Sequence, residues 1–338
     1  MVVLNKKLLS VFKNILLLAV AAVLLFFAFR GMDIKKIIHE ILQADIFWVI
    51  ISGFLSVIAF ISRAYRWNLL IEPLGYSPSL KKTTYSLMVG YFANLAFPRL
   101  GEVSRCGALS KAESIPFNKL LGTVIVERVI DVISLLICLL LAAVIEYKRL
   151  ESFFSENIFN PAIERYKQLI KSPVAIAVVV ILLVSLLVVV FYFLKKSKQK
   201  GGESGFVKLL KGLVTGLRSI ANLKRPWLFV FHSIFIWVLY YLGVYVCFFA
   251  LPSTSGLGYN AALFLLVAGG LGMSAPVQGG IGAYHLLVSQ GLMLYGLSQQ
   301  DGLTFATLVH SLQLILVVVF GIASLLLLFS SKKYDEMI

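Results

Sequence analysis

Gly269-Gly-Leu-Gly-Met-Ser274-Ala-Pro276-Val-Gln278-Gly279-Gly280-Ile-Gly282-Ala-Tyr284-His285 is the stretch on which the fold turns. It lies inside an apolar segment, about 261–297, that is long enough to cross a bilayer. Yet a proline with three glycines close behind it cannot continue a regular span. Proline removes a backbone donor, and glycine admits conformations that other residues avoid. The expected structure is a loop between two half-helices. The second half-helix should begin near Gly279 with free N–H groups, and His285 should sit about one and a half turns in. A second interrupted segment, about 83–110, contains Asn94-Leu-Ala-Phe-Pro98-Arg99-Leu-Gly101-Glu102-Val-Ser-Arg105. Pro98 biases Phe97 away from helix, Gly101 permits a tight turn, and a new half-helix is expected near Gly101.

Around these breaks the chain reads as membrane. Of its 338 residues 59% are hydrophobic and 14% charged, and mean hydropathy is +0.92. A soluble domain carries about 25% charged residues. Six full spans are expected, at about 11–29, 46–67, 120–145, 174–194, 228–250 and 303–329. The first runs too far, to Phe29, for a cleaved signal peptide. The order span, span, broken pair, span occurs twice. The fold class is therefore all-α and polytopic: six transmembrane helices plus two broken or re-entrant helix pairs. The halves, 1–160 and 161–338, form an inverted-topology repeat of the kind common among transporters.

Charge supplies the orientation. With a cytoplasmic N-terminus, the cytoplasmic side collects 23 Lys and Arg against 8 Asp and Glu, and the outer side 8 against 8. The whole net charge of +15 then falls inside, and both termini are cytoplasmic. Segments 33–44, 161–170 and 205–225 have amphipathic spacing and are read as linkers that orient the spans.

Candidate site residues follow from the breaks and from charge within spans. Arg99, Glu102 and Arg105 are three apart and share one face if helical. With Asn94 and a helix start beside them, they suit a phosphate or carboxylate. A cytoplasmic anchoring loop is the alternative reading. In the next span, Glu127, Arg128 and Asp131 are ionisable groups at membrane depth. Such groups mark function by default, and two carboxylates four apart need an arginine from Arg99, Arg105 or Arg128. Gln278, Gly279, Gly280 and His285 line the other break. Arg63, Arg66 and Trp67 read first as interfacial anchors. Cys106, Cys138 and Cys247 lack metal or redox spacing, no nucleotide-binding motif is present, and neither a cofactor nor a metal is expected.

Taken together, Arg63-Ala-Tyr-Arg66-Trp67, Asn94 to Arg105, Glu127-Arg128-Val-Ile-Asp131 and Pro276-Val-Gln278-Gly279-Gly280-Ile-Gly282 resemble the transmembrane flippase-like domain of lysylphosphatidylglycerol synthases. The resemblance covers most of the chain and implies movement of a lipid between leaflets of the cell membrane. The soluble aminoacyl-transferase domain of the synthases is not expected here, so lipid aminoacylation is not implied. Gln278 stands where relatives often have a second proline, and His285 where many carry glutamate. The expected function is a non-enzymatic flippase or scramblase for a phosphate-bearing lipid: an anionic or aminoacylated phospholipid, or a polyprenyl-phosphate-linked one. Its partners are membrane lipids, with possible coupling to a proton or ion, and no nucleic acid or nucleotide. The alternatives are a secondary transporter of a small soluble anion and, behind it, an intramembrane lipid-modifying enzyme using His285 and Ser274.

Overall fold

A computed structural model describes residues 18–154 and 223–335. The expected span at 174–194, most of the expected amphipathic segment at 205–225 and the whole of 161–170 lie outside the described residues, as does the start of the first span. All regular structure among the described residues is helical. The helices are α1 (Leu18–Phe29), α2 (Ile34–Leu42), α3 (Ile46–Ile71), α4 (Leu80–Ala96), α5 (Leu100–Glu113), α6 (Phe117–Ile145) and α7 (Tyr147–Phe154). After the undescribed stretch come α8 (Pro226–Cys247), α9 (Tyr259–Ser274), α10 (Ala283–Met293) and α11 (Gln299–Asp335). The chain divides into two units: Ala143–Thr215 is one, and the residues before and after it are the other. The larger unit contains both interrupted segments.

Among the described residues four helical stretches are long and apolar enough to cross a membrane: Ile46–Leu74, Phe117–Ile145, Pro226–Ala250 and Gln299–Leu328. They match four of the expected spans; α1 is a shorter apolar helix over its described residues. Short polar residues set where helices start. Asp33 accepts from the N–H of Lys36, Asp45 from Phe47 and Ser79 from Lys82, each relieving an orphan donor of the first turn. Pro226 occupies the first turn of α8, where its missing N–H is not needed.

Packing follows membrane rules, in which small residues let helices approach because lipid supplies no hydrophobic drive between them. α3 and α8 make the most extensive pairing. Ser52 Oγ donates to the Gly243 carbonyl at 3.0 Å, and Ser62 Oγ and His232 Nδ1 share a hydrogen bond of 2.8 Å. α11 packs on both α4 and α10. It therefore touches both interrupted segments, which positions them relative to each other.

Each interrupted segment is a pair of helices packed along one another, α4 with α5 and α9 with α10. In the first, a Cβ at Gly90 would lie 2.7 Å from the Gly101 carbonyl oxygen, so that approach requires glycine. In the second, a Cβ at Gly272 would lie 2.6 Å from the Cα of Tyr284. The second break is longer than the sequence reading allowed. Gln278–Gly280 form a single 3-10 turn, and α10 begins at Ala283, not near Gly279. Gly279, Gly280 and Gly282 all have positive φ (56°, 74° and 83°), which delays the helix. His285 consequently sits in the first turn of α10.

Candidate functional site

Charged residues of three helices, with a tyrosine from a fourth, meet in one buried node. Arg63 and Arg66 lie three apart on α3, and Glu127 and Asp131 four apart on α6, so each pair shares a helix face. Arg63 Nη2 donates to Glu127 Oε1 and to Asp131 Oδ2, both at 2.8 Å. Arg66 Nη2 donates to Asp131 Oδ1 at 2.6 Å and reaches Glu127 Oε1 at 3.4 Å. α8 contributes Tyr240, whose hydroxyl accepts from Arg63 Nη1 at 3.1 Å. α5 contributes Arg105, whose Nη1 is 3.0 Å from Glu127 Oε2. Glu127 and Arg66 are fully buried, and Arg105 is 1% exposed.

The node is unevenly satisfied. Three arginines face two carboxylates, which leaves one positive charge in excess. Arg105 lies within ion-pair distance of Glu127, but the two are not aligned for a hydrogen bond. All three of its guanidinium nitrogens, with Glu127 Oε2, are buried without a hydrogen-bond partner among the described residues. Arg66 Nε and Nη1 and Arg63 Nε are buried and unbonded as well. The Arg105 guanidinium rests over the Trp67 ring at 4.7 Å, a cation–π contact. Trp67 is itself buried and donates Nε1–H to Thr123 Oγ1 at 2.8 Å.

Geometry rearranges the roles read from the sequence. Arg63, Arg66 and Trp67 are buried parts of the node and not interfacial anchors: the α3 face that carries them packs against α5 and α6. Arg99, Glu102 and Arg105 do not act as a trio. Arg99 is the N-cap of α5, in left-handed backbone at φ 67°, ψ 6°, and its side chain is exposed. It therefore leaves the helical face that Glu102 and Arg105 occupy. Glu102 pairs with Arg128 at 3.1 Å, beside the node and partly exposed. Asn94 Oδ1 accepts the Gly101 N–H at 2.7 Å, holding the turn between α4 and α5.

The second break carries a different chemistry. Gln278 and His285 are buried, and Gln278 Oε1 and His285 Nδ1 have no partner. Ser274 is exposed and donates to the Gly270 carbonyl. α11 brings His310 beside His285, with ring centroids 4.9 Å apart and planes at 90°. That contact was hidden by sequence separation. The breaks also approach each other: a Cβ at Gly279 would lie 3.0 Å from Leu95 Cδ2, near the end of α4. Among the described residues no three His, Cys, Asp or Glu gather into a metal-ligand set.

The model of the lysylphosphatidylglycerol synthase TM region matches residues 14–321. The chain belongs to this family. Two relatives are similar over parts of their length. A UPF0104 membrane protein of Methanocaldococcus jannaschii is 32% identical over 120 residues, which are 35% of this chain and 35% of the relative. A UPF0104 membrane protein of Pyrococcus horikoshii is 26% identical over 134 residues, 38% of this chain and 40% of the relative. The aligned stretches thus span well under half of either relative. No solved structure matches the chain.

Proposed function

We propose that this protein moves a phosphate-bearing lipid between membrane leaflets without changing it chemically, as a flippase or scramblase. The observation that carries this reading is the excess positive charge of the buried node, with the Arg105 guanidinium unbonded beside it. Charge buried at membrane depth is expensive unless it is used, and an unfilled arginine fork matches a phosphate. The lipid's apolar chains stay in the bilayer while the headgroup meets arginine. Arg99, exposed at the turn before α5, is the first contact, and Arg105 the inner one. Glu102, Arg128, Glu127 and Asp131 are the counter-charges that exchange partners as access alternates.

In this reading six spans and two re-entrant pairs form an inverted repeat, residues 1–160 and 161–338. Both termini are cytoplasmic, following the distribution of Lys and Arg. The first break opens to the cytoplasm and the second to the outside. Backbone groups of Gln278, Gly279 and Gly280 line the far end of the headgroup path. The approach of Leu95 to Gly279 supports a route that passes from one break to the other.

The test is reconstitution of the purified chain into liposomes that carry a fluorescent anionic phospholipid in one leaflet. The wild type is expected to accelerate its movement to the other leaflet and to return the lipid chemically intact. Arg105→Gln should abolish movement, and Arg99→Ala should slow it, with thermal unfolding measured on each sample to verify folding. Translocation at the wild-type rate in folded Arg105→Gln sinks the headgroup role. Uptake of a soluble anion without lipid movement moves the assignment to a small-anion transporter. Recovery of altered lipid moves it to an enzyme.

A further inference from the structure

We propose that His285 and His310 form a proton-binding site that controls whether the two helix breaks stay in contact. Both side chains are more than nine-tenths buried, and their rings meet edge to face at 4.9 Å. His310 Nε2 lies 2.8 Å from the Gly279 carbonyl oxygen. A carbonyl only accepts, so Nε2 carries the hydrogen, and Nδ1 of the neutral ring holds a lone pair. That Nδ1 is buried without a partner, as is Nδ1 of His285. The pair therefore has open proton acceptors, and one of its two rings clamps the break itself.

The surroundings decide what a proton does there. Tyr284 stacks on His310 at 5.0 Å, and Phe29 of α1 meets His285 at 5.8 Å. α9 and α10 contain no Asp, Glu, Lys or Arg. Of the other elements packed on α11, α4 faces Gly279 with Leu95, and its Tyr91 turns to Arg63. α3 meets α11 at Gly53, and Glu40 of α2 is bonded to Thr304. Glu102 and Arg105 of α5 are paired with α6, and Asp301 of α11 itself is bonded to Ser298. An imidazolium formed in this packing would have no carboxylate among the described residues to neutralise it. A buried uncompensated charge is costly, so the protonated pair favours a conformation in which water reaches it. The imidazolium keeps its Nε2–H donor, so the opposing term is burial of the whole charged ring; hydrating that ring takes it out of its seat on Gly279, the residue that touches Leu95 of the other break. Acid therefore loosens the second break and separates it from the first; neutral pH holds them together.

The histidine pair would act in this way whether or not lipid moves, and its test needs no lipid cargo. Hydrogen exchange is measured on the full chain in detergent or nanodiscs at pH 8 and pH 5.5, corrected for intrinsic exchange. Amides of residues 277–283 in the wild type should exchange on the order of tenfold faster at the lower pH, the equivalent of one unit of linked titration. Amides around Glu127 serve as the internal control and should not change. In His285→Gln, His310→Gln the pH dependence should vanish, since glutamine can still donate to Gly279 but cannot titrate. Should that variant fail to fold, ¹⁵N-histidine spectra of the wild type give the second reading. Both rings must change protonation together with the exchange of 277–283. Exchange at the break that is independent of pH, pH dependence that persists in the double variant, or rings that titrate without loosening the break would each overturn the proposal.

Discussion

The two broken helix pairs share a construction and differ in chemistry. In both, a proline stops one helix, glycine lets the arms touch, and a second helix starts after a turn with positive φ. The first pair places Arg105 into a node with Glu127 and leaves donors over, whereas the second has no charged side chain and leaves Gln278 Oε1 and His285 Nδ1 over among the described residues. One backbone device thus serves two polarities. Helix interruption explains where polar groups can be held in a membrane, and the side chains behind the break decide what is held there.

The largest expected difference between the pairs lies in charge. Glu127→Gln leaves three arginines on one carboxylate and should lower stability by about 3–5 kcal/mol, the usual consequence of stranding a buried charge. His285→Gln, which strands none, should cost far less, and thermal unfolding in detergent compares the two directly. Equal losses would erase the contrast between the pairs. Next come the glycines, where the pairs should behave alike. Gly90→Ala and Gly272→Ala each drive a methyl onto backbone of the opposite arm, at a cost of roughly 1–3 kcal/mol. A large effect in one and none in the other would show that only one pair is rigidly closed. Asn94→Ala removes the acceptor of the Gly101 N–H and should cost about 0.5–1.5 kcal/mol. The smallest effect belongs to Arg99→Ala, expected within about 0.5 kcal/mol of wild type in unfolding because the side chain is exposed and has no partner among the described residues. Arg99→Gly should be the more stable of the two, since glycine accepts the left-handed backbone at φ 67°.

Hydropathy and the Pro–Gly punctuation were enough to locate four long spans and both interruptions, because these features are local in sequence. The start of α10 was misplaced by four residues, since consecutive glycines can either begin a helix or extend a turn, and here they extend it. Glu127 and Asp131 announced themselves by their depth in an apolar run. Their main partners did not: Arg63 and Arg66 sit where anchoring arginines usually do, and only packing of α3 on α6 turns them inward. Tyr240 and His310 carried no signal, since each is one polar side chain in a long apolar helix, and its importance comes from what it faces.

The node has a mechanical consequence. Hydrogen bonds and ion pairs from α3, α5, α6 and α8 converge on Glu127 and on Arg63, so those four helices are tied together for as long as these pairings hold. The seam between the end of α4 and the second break is made differently, from Leu95 and Leu314 against a glycine. Sliding along that seam ruptures no ion pair, while bending the node ruptures several. Compliance is therefore greater at the seam, so displacement there should come before any exchange of partners within the node.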